Sequence, residues 1–535
     1  MRAKQTTLTV TLTSLALAAS VLVGNCAGKS EPNKDRKPAA EKIDYVRQCL
    51  DVLMEYGTDR YGDKYTPILV SILDVQSRTC PQNPEKLEEQ WRVDRRGRRN
   101  PAGANMLMDQ PTLKTMFLLS RATGNDKYAK FARTYMDYYM KNLVDDKNFF
   151  WWGWHRHYDV YREEMTGHMG NHHELHALHC IAWDKLWAVN PQAVRKEIEA
   201  IWKWHVIDRK TGEINRHGDG KRGCDFSMSG ASFIHAFAFL YTKTKEKAWL
   251  DRARLVASYY WDRRNKETNL FPDRPNAGTE RFDGSHFLTS ITGLHCHALL
   301  KTYEMTGVEV FKDYAVAYLK AYAKYGFDEK TGKFWGSLNL DGTPFLGPRL
   351  KQGYAAYEPR GHLDLWGPYV LGYEYPLCTA QAYAYAYHLT KEEIFLTTAK
   401  RFADWIEMEL PPRKSLEECW YEGYAKQYAP HGTYADKYGR TISFFIHLYV
   451  LTNEDKYLML AREVANDAVS TLYFKGLFRG HPAKPYYEAT DGVGFLLYAL
   501  LELDQVEKRP NEVLARQAIL IGKETDRVRI ALDNW

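Results

Sequence analysis

The stretch MGNHHELHALHC, Met169 to Cys180, packs four histidines, an asparagine and a glutamate into twelve residues. A zinc-protease helix needs H-E-x-x-H. Here His173-Glu174 is followed by His176 after one residue, so that motif is missed. His172, His176 and His179 fall at i, i+4 and i+7, one face of a helix, and could hold a metal. No further ligand motif accompanies them, so no cofactor is expected, and a divalent cation has no support from spacing. His176 and His179 lie deep in an apolar segment, where a hydrogen-bonded core histidine is the simpler role. Asn171, His172 and His173 stand at the expected helix start, from which they can reach a cavity.

Other reactive residues stand just before apolar stretches. They are Asp109 in MLMDQP, Asp225 in GCDFSMS, Asp283 and His286 in RFDGSHF, and Glu374 in GYEYP. YADKYGR brings Asp436, Tyr438 and Arg440, and YYEATDG brings Glu488 and Asp491. Any one acid could be an ordinary helix cap, but the recurrence argues for one shared site. Tyr438 is the acid/base candidate, with Arg440 beside it to pair with a carboxylate or steady a tyrosinate. FFWWGWHRHYDVY, Phe149 to Tyr161, offers Trp151, Trp152 and Trp154 as stacking platforms beside His155, Arg156 and His157. Aromatics are 14% of the chain, with 37 Tyr and 15 Trp, which suits a cleft for sugar rings.

A weak repeat supplies the elements that would position these groups. A threonine is followed five residues on by an aromatic and nine on by alanine. It occurs at Thr123/Tyr128/Ala132, Thr244/Trp249/Ala253, Thr306/Phe311/Ala315, Thr390/Phe395/Ala399 and Thr452/Tyr457/Ala461. Thr244 to Thr306 and Thr390 to Thr452 are each 62 residues, and a degenerate copy is expected around Asn190. Thr306 to Thr390 is 84, one period plus an insertion that could form a lid or subsite around Trp335, Trp366 and Tyr369. The stretch before each threonine is apolar all round and the one after is amphipathic, the pattern of a buried and an outer helix. The threonine reads as an N-cap of the outer helix. The expectation is an all-α fold, an (α/α) toroid of six or seven hairpins over residues 42–535. Inner helices start near Met106, Asn171, Asp225, Asp283, Tyr373, Asp436 and Glu488, and Ile43–Tyr56 could be a seventh outer helix. Helix starts would then converge on one rim of the central cavity.

The first 25 residues read as a signal peptide, with Arg2 and Lys4 before an apolar run too short to span a membrane comfortably. VLVGNC is similar to a bacterial lipoprotein box with Cys26 lipidated, although Asn25 stands where a small residue is expected. Residues 26–41 are a polar tether. The expected place is therefore the periplasm or cell surface, or else outside the cell, with a membrane touched only through the lipid. Without Arg2 and Lys4 the formal charge falls from +6 to +4, a weak preference for anionic partners. RRGRRN, Arg95 to Asn100, reads as a solvated loop. The seven other cysteines are scattered, with no CxxC and no disulfide framework. Nucleotide-binding fingerprints are absent, and no nucleic-acid partner is expected.

GNHHELHAL resembles the Asn-His motif that opens an inner helix in toroid polysaccharide lyases of the heparinase and alginate-lyase kind. It departs from them in its doubled histidine and in having no recognisable β-sandwich segment afterwards. The resemblance implies elimination across C4–C5 of a uronate. Asn and His donors would neutralise the carboxylate while a base takes the C5 proton. The chain also resembles six-hairpin glycosidases, including the unsaturated-glucuronyl kind. That resemblance implies a carboxylate pair drawn from Asp225, Asp283, Glu374, Asp436, Glu488 and Asp491. The expectation is a carbohydrate-active enzyme on an anionic, uronate-containing poly- or oligosaccharide, cleaving by β-elimination. Glycoside hydrolysis is the alternative, and non-catalytic glycan binding the third.

Overall fold

The computed structural model describes residues 41–82, 103–167, 173–175, 180–348, 350, 353–367, 373–412 and 432–508. Its helices alternate between an inner ring and an outer layer. The inner members are α2 (Met106–Thr123), α4 (Trp183–Val189), α6 (Ser227–Thr244), α8 (Cys296–Thr306), α10 (Pro376–Thr390), α12 (Ala435–Thr452) and α14 (Val493–Lys508). The outer members are α3 (Lys127–Asn142), α5 (Pro191–Trp204), α7 (Lys247–Trp261), α9 (Glu309–Tyr325), α11 (Glu393–Met408) and α13 (Asp455–Leu472). The N-terminal α1 (Lys42–Tyr56) packs on α14 and completes the seventh pair.

The ring closes. α6 packs on α8, α8 and its π-helical first turn (Ile291–His295) on α10, α10 on α12, α12 on α14, and α14 on α2. The short α4 fills the place between α2 and α6. The Ala182 amide donates to Gln110 of α2 at 2.8 Å, and Trp187 meets Phe239 of α6 edge-on at 5.9 Å.

The repeated threonine has a different job from the one expected. It is the last residue of the inner helix, not the cap of the outer one. In all five copies its hydroxyl donates to the carbonyl four residues back, at 2.7–3.0 Å. The same oxygen accepts the amide two residues on, at 3.2–3.3 Å. The next residue turns left-handed, as at a helix C-terminus: Gly124, Lys245, Gly307, Lys391 and Asn453 have φ of 58° to 72°. That turn starts the outer helix. The aromatic five residues on and the alanine nine on are then buried against the inner helix. Burying Phe311 or Phe395 there contributes about 1.5–3 kcal/mol.

Two inner elements depart from the expected starts. Residues 173–175 and 180–182 are not helical, and α4 begins at Trp183. Asp283 lies in a loop, followed by the strand Phe287–Leu288. That strand pairs with Ser337–Leu338 from the 84-residue interval. The same interval supplies a 3-10 turn, Tyr354–Tyr357. A three-stranded sheet of Gly103–Ala104, Arg156–Asp159 and Glu164–Gly167 flanks the start of α2.

Candidate active site

Three loop segments meet before the inner helices. The first carries His155. Gly153 has φ +112°, and a Cβ there would lie 2.5 Å from the Glu174 carbonyl oxygen, so only glycine lets the loop come this close. Asn105, which caps α2 through the Leu107 amide at 3.1 Å, donates its side-chain amide to the carbonyls of Gly153 and Arg156 at 2.6 and 2.9 Å. The second segment is 173–175, with Glu174 at its centre. The third follows the strand Glu213–Ile214 and presents Arg216 and His217. Asn215 organises its turn by accepting the His217 amide at 2.7 Å and donating to the Lys221 carbonyl at 2.8 Å.

The three segments converge on the Glu174 carboxylate. His155 Nε2 and His217 Nε2 both face Oε2, the latter at 3.4 Å, and Arg216 Nη2 lies 2.9 Å from Oε1. All four residues are buried. Burial alone would raise the Glu174 carboxyl, but Arg216, His155 and His217 outweigh it and hold it well below the usual carboxylate range. Burial pushes His217 down to about 4, against the pull of Glu174. Its other nitrogen, Nδ1, lies 3.1 Å from Cys224 Sγ, a thiol that burial raises to about 12.

His155, Glu174 and His217 each offer one donor atom, and all three lie within 4.8 Å of one another. Two imidazole nitrogens and one carboxylate oxygen are a donor set that fits a first-row divalent cation. Calcium and magnesium favour oxygen donors.

The wall beside this cluster is aromatic. The Arg216 guanidinium lies 3.6 Å from the Phe226 ring centroid and donates to the Tyr354 hydroxyl at 3.1 Å, which lies 3.4 Å from that of Tyr373. Phe282 packs on Tyr354 with centroids 3.8 Å apart. Phe282 and Tyr373 adopt φ of 52° and 48°, a conformation bulky residues rarely take and one that clusters at functional sites. Phe282, Tyr354 and Tyr357 are half-buried and present ring surface at the rim.

Several residues expected in the site lie elsewhere. Tyr438 is fully buried, and its hydroxyl donates to Asp467 of outer helix α13 at 2.6 Å, away from the ring interior. His173 stacks on Phe149 at 4.0 Å and bonds His205, so it packs behind the cluster. Trp151 and Trp152 are core residues, not platforms. Their indoles donate to the Thr166 carbonyl and to Glu197, both at 2.9 Å. Arg156 is paired with Asp145 at 2.8 Å. Asp225 is buried against the Tyr259 hydroxyl and the Asn276 amide and raised to about 6. Glu374 accepts the Asp364 amide at 2.9 Å. Glu488 and Asp491 share Lys484, at 2.9 and 2.7 Å. Sequence shows the position of each of these groups along a helix but not which partner its side chain meets.

Others stay near the site or inside the ring. Trp154 packs in the small aromatic cluster with Cys224, Phe226 and Tyr373. Asp283 accepts the Tyr354 and Ala355 amides and so fixes the turn that presents Tyr354. His286 bonds Glu358 at 2.7 Å and stacks on Phe345. Arg440 lies within the ring, over Phe495 and 3.3 Å from Gln381 Oε1. Asn171, His172, His176, His179, Tyr369, Cys26 and Arg95 to Asn100 lie outside the described residues.

Arg216 and His217 escaped sequence reasoning because RHGDG follows a strand, not an inner-helix start. The faint signal was an Arg-His pair in a turn between Asn215 and Gly218.

A family model described as periplasmic pectate lyase matches residues 85–228 and 288–518, well over half of the chain. The chain belongs to the periplasmic pectate lyase family. As a member of that family it is a carbohydrate-active enzyme, and the first matched segment contains His155, Glu174, Arg216 and His217, whereas Asp283 and His286 fall outside it. A pectate disaccharide-lyase of Dickeya dadantii (strain 3937) is 30% identical over 136 residues, which cover 25% of this chain and 24% of that protein. The chain thus matches about a quarter of that curated relative's length. Solved structures that align with this family member include an α-mannanase of Bacteroides thetaiotaomicron, at 11% identity and a TM-score of 0.44, covering 88% of this chain and 98% of the other. An unsaturated glucuronyl hydrolase specific for heparin aligns at 10% identity and a TM-score of 0.44, covering 87% and 98%.

Proposed function

We propose that this protein is a cation-assisted lyase that cleaves pectate, a polymer of galacturonate, by β-elimination. The observation that carries this is the convergence of His155, Glu174 and His217 with Arg216 held against the same carboxylate. Membership of the pectate lyase family supports the substrate class, and so does the matching stretch of the Dickeya relative. An exported location accords with the family's description, and lipidation at Cys26 remains part of the proposal.

Elimination removes the proton on C5, beside a carboxylate, and expels the oxygen on C4. The barrier lies in the negative charge that builds on the carboxylate as the proton leaves. His155, Glu174 and His217 would hold a divalent cation, which would supply Lewis acidity toward that carboxylate. Arg216 supplies the proton acceptor. Burial disfavours its charge, yet Glu174 holds the guanidinium well above its ordinary value. With a cation bound, Glu174 would share its charge with the metal, so burial and the neighbouring positive charge would both lower the hold of Arg216 on its proton. The guanidinium would then lose a proton to solvent more readily and, once neutral, could accept the one on C5, while water would protonate the departing O4. Phe226 and the Tyr354 hydroxyl keep it in one orientation. The half-buried rings of Phe282, Tyr354 and Tyr357 supply the stacking surface for sugar rings.

Hydrolysis would need two carboxylates free to flank the glycosidic bond. Three of the buried carboxylates considered for it are engaged: Asp225 by Tyr259 and Asn276, and Glu488 and Asp491 by Lys484. Mass spectrometry of the products from pectate decides between the two chemistries. Elimination leaves an unsaturated end lighter by one water than the hydrolytic product, and its absence among cleaved products overturns the proposal.

A further inference from the structure

The proposed cation ligands sit on loops, and loops need support to hold three donors within coordination distance. Behind Glu174 and His217 runs a hydrogen-bonded chain that joins their two segments. His205, the residue after α5, forms a reciprocal pair with Asn215. The Asn215 amide donates to the His205 carbonyl at 2.7 Å, and His205 Nδ1 lies 2.7 Å from the Asn215 carbonyl. A carbonyl only accepts, so His205 carries its proton on Nδ1. Burial pushes this imidazole down to about 3, so it is neutral and its Nε2 is an acceptor. The partner at Nε2 is His173 Nδ1, at 2.7 Å, which therefore donates.

The direction of the whole chain is thereby fixed: His173 N–H to His205, and His205 N–H to the Asn215 carbonyl. His173 immediately precedes Glu174, and Asn215 stands two residues before His217. Phe149 stacks on the His173 ring at 4.0 Å and meets His205 edge-on at 5.2 Å, so it packs against both imidazoles.

We infer that His173 and His205 are positioning residues that set the spacing of Glu174 and His217 and so the affinity of the site for its cation. This rests on the cation site proposed above. Neither imidazole belongs to the set of three proposed cation ligands. Each acts by fixing the backbone from which a ligand projects, and outer-shell partners of this kind typically change metal affinity about 10–100-fold.

Chelator-stripped full-length protein is titrated with Co²⁺ alone, read by its visible d–d absorption. Parent, His173→Leu and His173→Asn are compared, with melting temperatures measured in chelator. Leucine fills the space but cannot donate. Asparagine places an amide N–H close to where Nδ1 stood. The expected result is Co²⁺ binding weakened at least about 10-fold in His173→Leu and restored to within about threefold of the parent in His173→Asn. Both variants lose the ring stacked on Phe149, and His173→Leu also leaves His205 Nε2 without its donor, so in chelator it should melt below His173→Asn while remaining folded at the titration temperature. His173→Leu binding Co²⁺ as tightly as the parent overturns the inference, and so does His173→Asn remaining as weak as His173→Leu. A parent that binds no Co²⁺ overturns the proposed cation site itself and the inference with it.

Discussion

The Arg216 guanidinium lies 2.9 Å from the Glu174 carboxylate and 3.6 Å from the centre of the Phe226 ring. One face of the cation is thus given to a carboxylate that two histidines also approach, and another to an aromatic surface. The pairing makes Arg216 responsive to whatever else Glu174 binds.

Arg216→Lys tests that role. Lysine keeps a positive charge but loses the planar fork that reaches Glu174 and Tyr354 together. Activity on pectate should fall by about 10²-fold or more, equivalent to roughly 3 kcal/mol of barrier. Steady-state kinetics should show the loss in kcat, with the melting temperature little changed.

Gly153→Ala should damage the site from outside it. Its Cβ would lie 2.5 Å from the Glu174 carbonyl oxygen, and the left-handed φ adds strain of about 1–3 kcal/mol. Chemical denaturation should show a loss of that order, and activity should drop as Glu174 is displaced from His155.

Tyr438→Phe separates the structure from the expectation drawn from sequence. Removing the hydroxyl deletes one bond to Asp467, a cost of about 1 kcal/mol in stability. Turnover should stay within about twofold of the parent, because the hydroxyl points to an outer helix. A fall of about 10²-fold, the usual scale for losing an acid/base catalyst, would restore Tyr438 as a catalytic group.

How far the sequence carried differed between fold and site. The Thr/aromatic/Ala repeat revealed the hairpins because each copy does the same mechanical job: Thr452 closes an inner helix, and Tyr457 and Ala461 pack the next one against it. The acids before the inner helices were legible as reactive types but not as roles. Asp225 and Glu488 were claimed by Tyr259 and Lys484, partners 34 residues and four residues away respectively. The cluster was hidden because its members lie on loops without period. In sequence His155 reads as a neighbour of tryptophans, and Glu174 as one of many reactive residues near expected inner-helix starts. Arg216 and His217 come from a hairpin turn that no helix pattern points to.

Asp109 offers a test by pH. Its carboxyl is buried beside the Tyr135 hydroxyl at 2.7 Å, and burial raises it from 3.8 to about 8. Between those values the folded state holds a proton that the unfolded chain has released, so this group's contribution to stability is lost as pH rises from about 4 to 8. Asp109→Asn removes that dependence. The stability of the variant relative to the parent should increase across this range, measured by urea denaturation at several pH values. A constant difference would show that Asp109 is already ionised in the folded protein.

The most direct test of the account follows the ultraviolet absorbance of unsaturated uronate ends. Chelator-stripped protein is mixed with pectate, with and without a restored divalent cation, and compared with Glu174→Gln. The account predicts a rise only when the cation is present and none with Glu174→Gln. A rise that ignores the chelator and survives Glu174→Gln would contradict it, as would release of reducing ends with no rise at all.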